Sequence, residues 1–394
     1  MDSMMELAEG LKEELIGLRR ALHAHPEVGA ELPWTTRFVM EKLTEYGYEP
    51  EEVCQSGIVA LLQGKPGKTL MLRADMDALP VREKADIPFA ASNGNMHACG
   101  HDMHTAMLLG AAKLLKQKQN ELAGTVKFVF QSNEEGFGGA KAMLAAGVLD
   151  SPKVDAAMAL HVNSGTPSGV VLCGTGTPMA GCTVFRITIN GTGCHGAMPD
   201  KGVDPINIAA HIYLSLQALI AREVSQTVPA ALTIGRFVSG EAPNIIPETA
   251  RMEGTIRFTD PETGAFLFRR VEQIAEQTAA LFRGQAVVEK CAEVPPLRNH
   301  GELTRQLANI IGEVYDPQKV VLFANGGLGS EDFSVYSAHI PCSYLLIGAG
   351  TAQENMAFGK PMHNECVVFN EDILPIGCGI FAQCAVRWLE HFCK

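Results

Sequence analysis

Residues 96–104 read Met-His-Ala-Cys-Gly-His-Asp-Met-His, a dense run of side chains able to bind a metal ion. Cys99 and His101 sit two apart, so an extended loop would turn both toward one side. A thiolate and an imidazole together suit zinc or another borderline transition metal. Other candidate donors lie where apolar runs end in polar groups. LMLRADMD ends in Arg73, Asp75 and Asp77, VKFVFQSNEE in Glu134 and Glu135, and AAMALHVN in His161. His363, in GKPMHNEC, would complete a shell of Cys99, His101, Glu135, His161 and His363. That set exceeds a single tetrahedral site and points to two ions about 3.5–4 Å apart, bridged by the thiolate. Of the adjacent Glu134 and Glu135, one can bind metal while the other takes a proton from metal-bound water. On zinc such water titrates near neutral pH, at about 7.

Taken singly, these residues have plainer readings: Asp102 as a helix cap, Cys99 as a buried thiol. His104, one helical turn past His101, reads as a partner of a ligand. His23 and His25 in LHAHPE belong to a loop that could pack against the site. His211, His300, His339 and His391 read as structural or surface residues.

The elements that must position this chemistry alternate in type. Helical spacing covers Glu6–Arg20, Thr35–Tyr46, Met103–Leu115 and Gly139–Ala146. Apolar strands are expected at Ile58–Leu62, Thr69–Ala74, Thr125–Gln131 and Val154–His161. Such alternation indicates an α/β domain with a mostly parallel sheet covered by helices, whose ligands gather at the carboxyl ends of the strands. From Gly181 the order becomes β-α-β-β-α-β: a half-buried strand, the helix Asp204–Arg222, two strands, a helix from Pro261 and a last strand. This is the ferredoxin-like α+β motif in about 110 residues. The α/β pattern then returns, with a helix Leu303–Val314, strands Val320–Phe323 and Ser343–Ile347, and a terminal helix from about Asp372. The simplest organisation is a catalytic domain made of 1–180 and 295–394, with 181–294 inserted as a smaller domain.

Composition narrows the partners. The chain has 44 acidic against 32 basic residues, a formal charge of −12, which disfavours nucleic acid and anionic membranes. No stretch approaches 18 apolar residues, so no membrane span is expected, and no signal peptide is read at the N-terminus. Eleven cysteines without a C-x-x-C pair argue against a disulfide framework or a redox motif. Most of them are expected to be small buried hydrophobes, in a reducing cytoplasm.

In order along the chain, LHAHPE (22–27), RADMDALP (73–80), MHACGHDMHTAMLLGAA (96–112), QSNEEG (131–136), GCHGAMPDKGVDPI (193–206) and GSEDFSVY (329–336) resemble the M20 metallopeptidase family. The resemblance is strongest to its amidohydrolase branch: hippurate hydrolases, plant auxin-conjugate hydrolases and N-acetyl-diaminopimelate deacetylases. It implies metal ligation by Cys99, His101, Glu135, His161 and His363, with Glu134 as general base. It also implies that His195, in the inserted lid, supports the oxyanion across a homodimer, and that Asn244 and Arg257 grip the substrate carboxylate. The implied reaction is hydrolysis of N-acyl-amino acids, with dipeptidase, aminopeptidase, carboxypeptidase or deacetylase activity as alternatives. Zinc or manganese is the expected metal, with cobalt and nickel compatible. The chain departs from the branch's usual G-K-G/A-x-H approach to the lid histidine, having Gly191-Thr192-Gly193-Cys194-His195, a difference that bears on substrate preference.

Overall fold

Near-continuous apolar runs such as LMLRA and FVF have no polar face to offer solvent, so they pair at the centre of a sheet covered on both sides. In the computed structural model, which describes residues 3–391, Ala123–Gln131, Lys65–Asp75, Ala156–Asn163 and Cys342–Gly348 lie side by side and parallel. They form the middle of an eight-stranded sheet whose margins are antiparallel. Glu51–Cys54 and Gly57–Gln63 extend it on one side; Val171–Gly174 and Val320–Phe323 extend it on the other. Glu51–Cys54 and Val171–Gly174 carry only four residues each, too few for an apolar period to mark them beforehand.

Helix His101–Gln117 is buried along almost its whole length, from His101 to Leu115. Leu374–His391 packs beside it, against Met4–Glu9 as well. Residues Glu371–His391 are long and on average apolar enough to cross a membrane, but 72% of their most apolar 18-residue stretch is buried inside the protein. Its hydrophobicity belongs to the core. The single helix expected over Glu6–Arg20 is two helices, Met4–Glu9 and Lys12–His23. The chain turns at Gly10, and Ser3 with Glu6 forms a capping box at the start of the first.

The chain divides into two compact units. One holds the eight-stranded sheet and comprises residues up to Pro178, Arg298–Asn325 and everything from Val335. The other comprises Met179–Leu297 together with Gly326–Ser334, a segment that the sequence pattern alone assigns to the catalytic part. This second unit has a four-stranded antiparallel sheet in the order Gln285–Val294, Gly181–Asn190, Thr249–Phe258, Ala230–Ser239. Its helices, Pro205–Glu223 and Pro261–Leu281, start at Asp204 and Asp260, whose carboxylates accept from backbone N–H groups of the first turn. Both cover one face, over Phe185, Ile187, Ile189, Met252 and Ile256. The opposite face carries a row of alternating charge, Arg236, Glu253, Arg186 and Glu289, running across all four strands.

Only half of the ten described cysteines are buried: Cys173, Cys182, Cys342, Cys378 and Cys384. The others line turns, strand edges and the site below, where side chains are less enclosed; Cys393 lies outside the described residues. All ten are free thiols.

Candidate metal centre

Parallel pairing brings the carboxyl ends of the strands to one edge of the first unit. Asp75 pairs in register with Gln131, and His161 with Leu346. Loops leaving those ends carry the candidate ligands, as expected for an open α/β sheet.

Cys99 and His101 converge, but not through an extended loop. Gly100 between them has φ +85° and is the N-cap of His101–Gln117. The left-handed turn drops Cys99 beside the first turn of the helix that carries His101. A Cβ at Gly100 would lie 2.3 Å from Val162 Cγ2, so neither its backbone conformation nor its space admits a side chain. Gly100→Ala is therefore expected to cost on the order of 1–3 kcal/mol. The loss is read as a lower Tm, and metal analysis should show a weakened centre because Cys99 is displaced.

Cys99 is the hub of the donor set. Its Sγ lies 3.6 Å from His161 Nε2 and 3.3 Å from His363 Nε2. His363 Nε2 is also 3.3 Å from Glu135 Oε1. The donor atoms of Cys99, His101 and Glu135 all lie within 4.8 Å of one another. The five residues named from the sequence as ligands are thus brought together, all within the first unit. His363 reaches the cluster from a left-handed backbone position, φ +65°, held by its N–H on the carbonyl of Ala98.

Asp77 organises the two glutamates, a role that its sequence position alone did not reveal. Its Oδ1 accepts from Glu134 N at 3.0 Å and its Oδ2 from Glu135 N at 3.1 Å. The turn they occupy starts at Asn133, with φ +55°, a conformation Asn tolerates better than most residues. The backbone carbonyl of Asp77 lies 2.7 Å from His101 Nδ1 and can only accept, so that nitrogen carries the proton. Burial opposes charge on the ring, but Asp75 and Cys99 beside it raise its pKa well above the usual range, so a cation binding at Nε2 takes the place of a proton. His101 Nε2 is buried and has no hydrogen-bond partner among the described residues, the condition of a nitrogen that a cation completes.

Behind the cluster, Asp75 is wholly buried. Burial opposes its ionisation, but His101, Arg73 and His104 around it hold its pKa well below the usual range. Burial pushes His104 and His161 down and keeps both neutral, and it pushes the Cys99 thiol up. A bound cation reverses that last effect, since a coordinating thiol is deprotonated.

The LHAHPE segment packs beneath the helix. Asp102 is not a cap: its Oδ2 accepts from Arg19 Nε at 2.7 Å and faces His23 Nδ1 at 2.8 Å. His23 Nε2 faces Glu83 Oε1 at 3.0 Å. Burial opposes charge on His23, yet Asp102 and Glu83 outweigh it and raise its pKa. Glu83 also accepts from Ala91 N, and Phe89 lies under the guanidinium groups of Arg19 and Arg20, so residues 83–91 are tied to this network. His97 is buried beside it, pushed down to about 3 by desolvation, and stays neutral.

The remaining candidates lie in the second unit. Cys194–His195 pairs with Ile245–Ile246, His195 opposite Ile245, and Gly196 N donates to Asn244 O. Asn244 sits in the turn just before Ile245–Ile246, joined to the His195 segment through Gly196. His195 Nδ1 accepts from Ala197 N at 3.0 Å, which places the ring proton on Nε2 of an exposed side chain. Arg257 stands half-buried on Thr249–Phe258, on the face away from the helices, with no hydrogen bond or ion pair among the described residues.

A sheet-edge cluster of thiol, imidazole and carboxylate donors, with a second glutamate beside it, is the site of a metal-dependent hydrolase. The family model for peptidase family M20/M25/M40 matches residues 71–387, and the chain belongs to that family. It is 35% identical to thermostable carboxypeptidase 2 of Saccharolobus solfataricus, over 98% of this chain and 99% of that protein. It is 36% identical to IAA-amino acid hydrolase ILR1-like 4 of Arabidopsis thaliana, over 95% of this chain and 86% of the relative. Among solved structures, the Bacillus subtilis YXEP protein, described as a dinuclear metal binding peptidase from the M20 family, superposes with a TM-score of 0.79. That match has 32% identity and covers 97% of this chain and 99% of the other.

Proposed function

We propose that this hydrolase cleaves the amide bond of N-acyl-amino acids or related amino-acid conjugates. The observation that carries the reading is the cluster around Cys99 with Glu134 on the turn beside Glu135. Cys99, His101, Glu135, His161 and His363 are the proposed ligands of two divalent ions, zinc or manganese first, with cobalt or nickel compatible. Bound there, the ions would polarise the scissile carbonyl and lower the pKa of a water. Glu134 takes the proton of that water and delivers it to the leaving amine. His195 donates its Nε2–H to the oxyanion, a contact typically worth ~10²–10³ in rate. Arg257 and Asn244 hold the free carboxylate, for which an otherwise unpaired guanidinium is suited.

The same reading takes His195 from a second copy of the chain. The long edge strand Ala230–Ser239, with Phe237 and Val238 exposed, and the exposed Tyr213 and Leu214 offer a surface for a homodimer. Free thiols throughout the described chain fit a reducing compartment such as the cytoplasm. The carboxypeptidase among the relatives supports peptide cleavage as a second reading, which would use the same carboxylate grip.

An activity panel tests both. N-acetyl, N-benzoyl and longer N-acyl amino acids are compared with dipeptides after reconstitution with each metal, alongside carboxyl-blocked controls. Faster turnover of the acyl amino acids is the expected result. Arg257→Ala should lower kcat/KM about 10- to 100-fold, the worth of one charged hydrogen bond. Blocked substrates should suffer a similar loss, and their undiminished turnover would rule out the carboxylate grip.

A further inference from the structure

We propose that His104 is a positioning residue, which sets the metal-facing nitrogen of His161 through the peptide group of Val162, with Asp75 choosing its tautomer. The inference rests on the metal-centre reading above. Its starting point is a buried chain of hydrogen bonds in which the position of each proton follows from its neighbour. Asp75 is an acceptor only, and its Oδ1 lies 2.5 Å from His104 Nδ1, so that nitrogen carries the proton. His104 Nε2 is then an acceptor, and Val162 N donates to it at 2.9 Å. On the other side of the same residue, Val162 O lies 2.6 Å from His161 Nδ1 and can only accept. His161 is thereby protonated on Nδ1 and turns the lone pair of Nε2 toward Cys99 Sγ, 3.6 Å away.

The backbone explains why a side chain is needed here. Ala156–Asn163 pairs with Lys65–Asp75 only as far as Ala159 opposite Arg73. Beyond that point His104 supplies an acceptor for the N–H of Val162, a buried group that could not be left unmade without cost. Asp75 is fixed in turn: Arg73 Nη1 donates to its Oδ2 at 2.6 Å, and Thr105 Oγ1 to its backbone oxygen at 2.9 Å. His104 Nε2 or Nδ1 lies within 4.8 Å of the donor atoms of His101 and His161, close enough to be mistaken for a ligand. Because Asp75 and Val162 engage both ring nitrogens, it acts on the centre through His161 instead.

The polarity of the chain makes the inference testable. In His104→Gln, the amide oxygen can accept from Val162 N while its nitrogen donates to Asp75, preserving both bonds. His104→Leu preserves neither. In Asp75→Asn, Arg73 claims the remaining oxygen and the amide N–H₂ faces His104, so the ring tautomer inverts and Nε2–H confronts Val162 N–H. Zn²⁺ binding is measured by chelator competition on the four proteins, with melting curves recorded with and without Zn²⁺. Wild type should bind two ions. In His104→Leu and Asp75→Asn one of the two should weaken about 10- to 100-fold, the usual effect of losing a hydrogen-bond partner of a ligand. His104→Gln should stay within a few-fold of wild type. Equal Zn²⁺ affinity in His104→Leu and His104→Gln would overturn the proposal. So would a lower Tm without Zn²⁺ accompanied by unchanged affinity, which would mark His104 as packing alone. If His104→Leu does not fold, Asp75→Asn against His104→Gln decides in the same way. Wild type failing to bind two ions would instead overturn the metal-centre reading itself, and that titration stands apart from every variant.

Discussion

Glu134→Gln lowers kcat by about 10²–10⁴-fold, the range for loss of a general acid–base, while both metal ions remain bound. The amide has the shape of the carboxylate but cannot take a proton from water. The backbone N–H of residue 134 is held by Asp77 Oδ1 whatever the side chain, so the turn should keep its geometry. Glu135, held separately by Asp77 Oδ2, should keep its place in the cluster. Steady-state rates and metal analysis on one preparation check the result. A variant with near-normal kcat would remove Glu134 from the chemistry and leave the proton transfer without an owner.

Asp77→Asn strikes the same turn from behind, and its expected outcome differs. An asparagine has one acceptor where Asp77 uses two, so its N–H₂ group must face the backbone N–H of either Glu134 or Glu135. Two donors cannot share that space. The turn is pushed away and both glutamates move with it. A displacement of about 1 Å at a reacting group can cost ~10² in rate, and the disturbed Glu135 should weaken metal binding about 10- to 100-fold. The backbone carbonyl that fixes His101 is unchanged by the substitution, so binding should weaken without being abolished. Activity loss with metal loss in Asp77→Asn, against activity loss alone in Glu134→Gln, separates holding the turn from moving the proton.

What the sequence made legible was the chemistry at strand ends. Apolar runs that stop at Asp75, Glu134 or His161 announce both a strand and its functional edge, and the expected donors do meet there. The means of meeting was not legible. An alternating pattern places Cys99 and His101 on one side of an extended loop, whereas the chain uses a left-handed glycine and a helix start. Asp77 was visible as a polar strand end, but its role depends on which N–H groups its two oxygens face, and no spacing encodes that. The Arg19–Asp102 pair joins residues 83 apart and follows from helix packing, not from local sequence. Likewise Asp102 resembled a cap because Asp commonly caps helices, until the buried guanidinium beside it made it an ion-pair partner.

The pairing of Cys99 with His363 spans 264 residues of chain. Cys99, His101, Glu135 and His161 are all synthesised before the second unit's Met179–Leu297 core, and His363 is made after it. Domains fold as they leave the ribosome, so the intervening unit can reach its own packed state while the centre still lacks its last donor. A nascent or truncated chain ending before residue 363 cannot close the donor set, however well its sheet has formed. With the proposed ligand set, a complete centre forms only once both separated stretches of the larger unit have come together.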